Sequence, residues 1–269
     1  MRSVRVIDIQ RWVEELAPLC LAEEWDNVGL QIGKEAELVR GVLVCLEVNH
    51  AVIDQALQND VQLIVAHHPL IFAPLRSLRA DDAHESLIMR MIIERLSLYV
   101  AHTNLDAAPG GLGDWVAEVC GLHSVQPLIP RDERIPQAGF GRVGDLEAPV
   151  DFEEFAARLC RQFEVSRLRI AGRPPRSVER VAVLNGSGGS YMAEARAAEA
   201  DVYVTGDVKH HDAAYAEALG LCVLDCGHFA TERIVVPRLA GYLRERARAE
   251  GQDCRFHVAD EKNPIAYLP

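Results

Sequence analysis

Between residues 42 and 101 the chain alternates apolar runs too short for helices with segments whose apolar residues recur at helical spacing. Residues 42–48 read as a strand, 51–57 as a helix, 61–66 as a strand, a stretch within 82–96 as a helix and 98–101 as a strand. Such a β-α-β-α order admits few architectures, because parallel strands need crossover helices and the resulting sheet is covered on both faces. The middle strand, VQLIVA, is followed at once by His67, His68 and Pro69. Successive strand side chains point to opposite faces, so two adjacent imidazoles serve one site only where the strand has ended, and Pro69 marks such an end. An isolated pair of this kind is as often one satisfied core histidine beside one exposed histidine. The rest of the chain decides between the two.

The same edge gathers further polar residues. After strand 98–101 comes AHTNLDAAPGG, carrying His102 and Asp106, then a helix from about 112 to 121. In open parallel sheets ligands bind beyond the carboxyl ends of the strands, although Asp106 alone reads equally as a turn residue before Pro-Gly-Gly. A strand at 201–205 ends in GDVKHHD, with Asp207, His210 and His211, and a strand at 221–224 ends in DCGHFATE ahead of a long amphipathic helix reaching about 249. His228 and Glu232 are four apart, one turn from each other if that helix begins at or before His228. Elsewhere Asp8 can cap a first helix ended by Pro18, residues 24–30 form a polar turn carrying Trp25, and residues 127–149, rich in proline and glycine, read as the connection between two lobes. The NGSGG turn at 185–189 can cradle an anion or serve only as a tight strand-to-helix turn. Seven arginines against two glutamates over residues 158–180 form either a solvated face or an anion site.

With 269 residues, 49% of them hydrophobic, the chain can bury one large core or two smaller ones. A net charge of -12 argues against nonspecific binding to nucleic acid or anionic membrane. No apolar run approaches the roughly 20 residues of a membrane span, and the amphipathic start is unlike a signal peptide, so the expected location is cytoplasmic. Seven cysteines without a CxxC spacing fit reduced thiols.

His67, His68, Asp106, His228 and Glu232 together exceed the three protein ligands usual for one catalytic zinc and suit two divalent ions sharing a carboxylate. Nitrogen and oxygen donors favour Zn, Fe, Mn, Co or Ni over Ca. Because His228 and Glu232 must return to the residues of the first half, the expected lobes are residues 1–124 with 226–269, carrying most of the ligands, and an inserted lobe at 125–225.

WDNVGLQIG, the HHP after a strand, AHTNLDAAPGGLGD, NGSGG, TGDVKHHDA and GHFATE together resemble the successive motifs of the Nif-three-like proteins, the GTP cyclohydrolase I type 2 homologues. The resemblance implies two linked α/β lobes with mainly parallel sheets, a dinuclear metal site in the cleft between them, and a ring-shaped homohexamer. It places the ligands on His67, His68, Asp106, His228 and Glu232, with Glu232 as the bridge. The chain is similar to the short form, without a middle domain, and departs from the pattern at His210. The implied activity is metal-dependent hydrolysis of a nucleotide-like or other anionic substrate by an activated water, with His211, His102 or Asp207 moving the proton. The rival reading is a non-catalytic protein that binds or delivers metal, or a regulatory scaffold. A nucleic-acid-binding ring drawing on residues 158–180 has the acidic total against it.

Overall fold

The computed structural model describes residues 3–131 and 134–266. In chain order the first half forms α1 (Val6–Leu16), β1 (Gly29–Ile32), β2 (Gly41–Cys45), α2 (His50–Gln58), β3 (Leu63–Ala66), α3 (Ala83–Ile93), β4 (Ser97–Val100), α4 (Thr103–Ala107) and α5 (Leu112–Cys120). Then follow β5 (His123–Pro130), β6 (Gly139–Asp151), α6 (Phe152–Gln162), β7 (Arg169–Ala171), β8 (Ser177–Ser187), α7 (Met192–Ala197) and β9 (Val202–Gly206). The chain closes with α8 (His210–Leu219), β10 (Cys222–Asp225), α9 (His228–Glu232), α10 (Val235–Ala249) and β11 (Arg255–Val258).

Two compact units result, Met1–Leu105 with Val235–Pro269, and Asp106–Ile234. The first unit holds a five-stranded sheet in the order β1-β4-β3-β2-β11. All its pairings are parallel except β1 on β4. Alternation divides the buried strand residues between two faces. Leu43, Cys45, Ile64 and Leu98 meet Val52 and Ile53 of α2 and Ile88 and Met91 of α3 in one core, while α10 packs on β2 and β11. Local signals fix the ends of these helices. Asn49 accepts from Val52 N at the start of α2, and Asp82 accepts from His84 N and Glu85 N at the start of α3. Asp8 acts differently from the expectation: α1 starts at Val6, and Asp8, already inside it, accepts from Arg5 N at 2.9 Å.

The second unit holds a six-stranded sheet in the order β5-β6-β8-β9-β10-β7. Only β8, β9 and β10 are mutually parallel; β5, β6 and β7 join antiparallel, so this sheet is mixed rather than mainly parallel. The difference arises at residues 127–149, expected as a connection. Apart from Asp132 and Glu133, which lie outside the described residues, most of this stretch is the β5–β6 pair. Pro127 and Pro130 sit on the edge strand β5, where proline is tolerated, and Gly139 lets the backbones close, since a Cβ there would lie 2.3 Å from Ile129 O.

The unit boundaries also move. α5 packs on β6 and β8, and α9 on β8 and β9, which carries residues 106–124 and 226–234 into the second unit. Asp106, His228 and Glu232 therefore belong there, while His67 and His68 belong to the first unit. The expected single helix to residue 249 is two helices, because Pro237 has no N–H to bond Arg233 and its ring would crowd that carbonyl.

Candidate metal centre

In the first unit β3 and β4 run parallel with Ala66 opposite Val100, so the residues just beyond them emerge side by side. His67 N and His68 N bond to the carbonyls of Cys45 and Leu46 at 3.1 and 2.8 Å, which holds the post-strand backbone in place. Ring centroids of His67, His68 and His102 lie 5.2–5.7 Å apart, and one ring nitrogen from each lies within 4.8 Å of the others. His67 is fully buried, and its Nδ1 sits 2.8 Å from the Ala101 carbonyl. A carbonyl only accepts, so Nδ1 carries the proton and the lone pair is on Nε2, the form in which imidazole binds a metal.

His102 is braced in the same manner by a carboxylate. Its Nδ1 lies 3.0 Å from both oxygens of Asp26, whose Oδ2 also accepts from the backbone N and the hydroxyl of Thr103. Burial pushes the Asp26 carboxyl up, but the hydrogen bonds from His102 and Thr103 outweigh it and hold it at about 2. Sequence reasoning passed over Asp26 because nothing in a polar turn says which distant ring its acid reaches.

In the second unit Asn185 Nδ2 donates to Asp106 Oδ1 at 3.0 Å and to Glu232 Oε1 at 3.2 Å. One amide thus joins two carboxylates, of which Glu232 is only 4% exposed. α9 does begin at His228, and the helical spacing brings His228 Nε2 to 2.8 Å from Glu232 Oε2. This is the distance of a charge-assisted hydrogen bond, and two donors bound to one ion at about 2.0–2.2 Å stand about as far apart. The far side of the ring is held by Asp207, whose Oδ2 lies 2.8 Å from Nδ1. Burial pulls the His228 pKa down, but Glu232 and then Asp207 more than reverse it and raise it to about 9. Asp207 adopts φ +54, a strained backbone for a residue with a side chain, at the point where it orients this ring.

Glycine makes the approach of Glu232 possible. Gly186 has φ +62, and a Cβ there would lie 2.2 Å from Glu232 Oε1 and 3.4 Å from His228 Cε1. Its N–H donates to Thr231 Oγ1 at 3.0 Å, fastening α9 to β8. Of the two readings of the NGSGG turn, the contacts favour the tight strand-to-helix turn: Gly188 N also donates inward, to Thr205 Oγ1, and the carboxylate of Asp212 lies against Gly189. At least three of the seven arginines of the basic segment have intramolecular partners. Arg158 donates to Cys120 O, Arg169 pairs with Asp225 and Arg180 with Asp145. His211, the second residue of α8, is exposed, its ring packed edge-on against His210 at 5.5 Å.

All seven cysteines are free thiols. Among the described residues no helix is long and apolar enough to cross a membrane. Histidine and carboxylate groups that could hold a metal ion are present, and the His67 tautomer is the one such a ligand needs.

Residues 4–264 match the family model of Duf34/NIF3 (NGG1p interacting factor 3). A protein of Clostridium acetobutylicum named GTP cyclohydrolase 1 type 2 homolog is 32% identical over 86% of this chain and 86% of its own length. Its namesake in Clostridium perfringens is 31% identical over 98% of this chain and its full length. The crystal structure of a Bacillus cereus protein related to NIF3 superposes with a TM-score of 0.93 at 25% identity, covering both chains completely.

Proposed function

The chain belongs to the Duf34/NIF3 family, and on that premise we propose that it is a hydrolase dependent on two divalent metal ions, acting on a nucleotide-like substrate. The observation that carries this reading is the disposition of Glu232. Its Oε1 accepts from the Asn185 amide shared with Asp106, and its Oε2 faces His228, so one nearly buried carboxylate stands beside both other proposed ligands of its unit. The names of the relatives support the reaction class.

In this reading His67, His68, Asp106, His228 and Glu232 hold the ions, and Zn, Fe, Mn, Co or Ni suit these donors. The ions supply Lewis acidity, lowering the pKa of a water and polarising the bond under attack. The remaining chemistry belongs to the chain. His102, oriented by Asp26, is positioned to take a proton and return it to the leaving group. Asp207 fixes the His228 ring and, half exposed, can pass a proton to solvent; a third proton carrier, His211, rests on the family resemblance alone. A ring-shaped homohexamer in the cytoplasm belongs to the same proposal and rests on the family resemblance.

The test is metal content and nucleotide hydrolysis, GTP included, on wild type beside Glu232→Ala and His68→Ala. Two ions per wild-type chain, fewer in Glu232→Ala and turnover that falls with them support the hydrolase. Two ions with no turnover on any nucleotide would replace it with a metal-binding scaffold, and Glu232→Ala retaining both ions would remove the bridge.

A further inference from the structure

The turn that carries Asp26 also carries Trp25, which the metal chemistry does not use. Trp25 is 60% exposed and Phe72 52% exposed, on the two loops that supply Asp26 and follow His67 and His68. Their ring centroids lie 5.9 Å apart at 54°, and the indole meets the His102 ring edge-on at 6.4 Å. Solvent-facing aromatics are ordinarily mobile and scattered, but these two are clamped from behind. Gln31 Nε2 donates to Asn27 O at 2.7 Å and to Ile71 O at 3.0 Å, and Gln31 Oε1 accepts from Ile71 N at 2.8 Å. Asn27 Nδ2 donates to the same Ile71 carbonyl. The polar clasp binds one loop to the other immediately beside both rings.

From this arrangement we infer that Trp25 and Phe72 form a stacking subsite for a planar heteroaromatic ring, such as a purine, whose polar end reaches the His67, His68 and His102 cluster. The inference rests on the proposed metal site only for what the polar end meets. Aromatic platforms accept any flat π-face, and loss of one typically weakens binding by about tenfold or more. A small ligand fits better than a protein: the two rings offer roughly 250 Å², against about 800 Å² on each side of a stable protein interface. The subsite selects for the ring of the substrate and not for its sugar or phosphate.

The experiment titrates the full-length, metal-loaded protein with guanosine, GTP and ribose 5-phosphate, using calorimetry, with metal content and light scattering measured on each sample. Wild type is compared with Trp25→Ala and Trp25→Phe. The expected result is a Kd for guanosine and GTP at least about tenfold weaker in Trp25→Ala, restored within about threefold in Trp25→Phe, with ribose 5-phosphate binding and metal content unchanged. Equal guanosine affinity in wild type and Trp25→Ala, or equal losses for guanosine and ribose 5-phosphate, overturns the subsite. Wild type that holds metal but binds no ring compound also overturns it, leaving the metal reading intact. Trp25-dependent guanosine binding by a chain that holds no metal keeps the subsite and removes the metal reading. A change of oligomer size in Trp25→Ala, without a change in guanosine affinity, assigns the rings to a second copy of the chain and overturns the proposal.

Discussion

Asp207 Oδ2 lies 2.8 Å from His228 Nδ1, on the side of the ring away from Glu232. That contact fixes which nitrogen faces Glu232 and raises the basicity of the ring. Asp207→Asn keeps the shape but loses the charge, and the expected consequence is a metal affinity about 10–100-fold lower with the fold intact. Competition with a chromophoric chelator measures it. Unchanged affinity would mean that Asp207 is a surface acid with no hold on the centre.

Asp26 gives a dependence on pH. Its folded pKa is about 2 against an ordinary value of 3.8, so between those values the unfolded chain binds more protons and stability rises with pH. The contribution, about 2 kcal/mol, is complete above the ordinary value and disappears as pH falls toward 2. Asp26→Asn is expected to be less stable than wild type by that amount at pH 7, with the gap closing in acid. Urea denaturation across the pH range reads the difference, and a gap that stays constant down to pH 2.5 would falsify the assignment.

What the sequence made legible followed from period and chain order. β2, α2, β3, α3 and β4 fall within a few residues of their expected places, because short apolar runs between capped helices allow little else. The strand end carrying His67 and His68 was visible for the same reason, as was the pairing of His228 with Glu232, whereas Asp106, expected in a loop, lies inside the short helix α4. Partnerships across the chain were not visible. Nothing local shows that Asp26 reaches His102, 76 residues on, or that Asn185 joins Asp106 to Glu232. The β5–β6 hairpin was misread because proline and glycine signal a loop locally, whereas here Pro127 and Pro130 lie on an edge strand and Gly139 allows a close backbone approach. The break before α10 was legible in Pro237 and was overridden by the amphipathic pattern around it.

Gly186→Ala tests the close approach of Glu232. A methyl group 2.2 Å from Oε1 must displace that carboxylate, and φ +62 adds backbone strain. A stability loss of about 1–3 kcal/mol is expected, together with loss of metal from the Glu232 position. Calorimetry and metal analysis on the same sample separate the two effects. A variant that is destabilised but fully loaded would show that Glu232 moves without penalty to metal binding.

Arg142 is fully buried in the second unit and answers to Asp114, with Nε 2.5 Å from Oδ1 and Nη2 3.1 Å from Oδ2. Its remaining protons go to the carbonyls of Gly139, Gly141 and Ala108, while Asp114 also accepts from Gly110 N. The pair therefore fixes residues 108–110, the turn that leaves Asp106. Removing one partner strands a buried charge or several carbonyls, and Asp114→Ala or Arg142→Met is expected to cost about 3–5 kcal/mol. The double variant should cost less than the sum, since each single change already destroys the same contact. Because the turn follows a proposed ligand directly, metal affinity should fall in every variant that still folds. Equilibrium unfolding gives the first quantity and metal titration the second; additive stability losses with full metal affinity would show that Arg142 packs the sheet and has no part in placing Asp106.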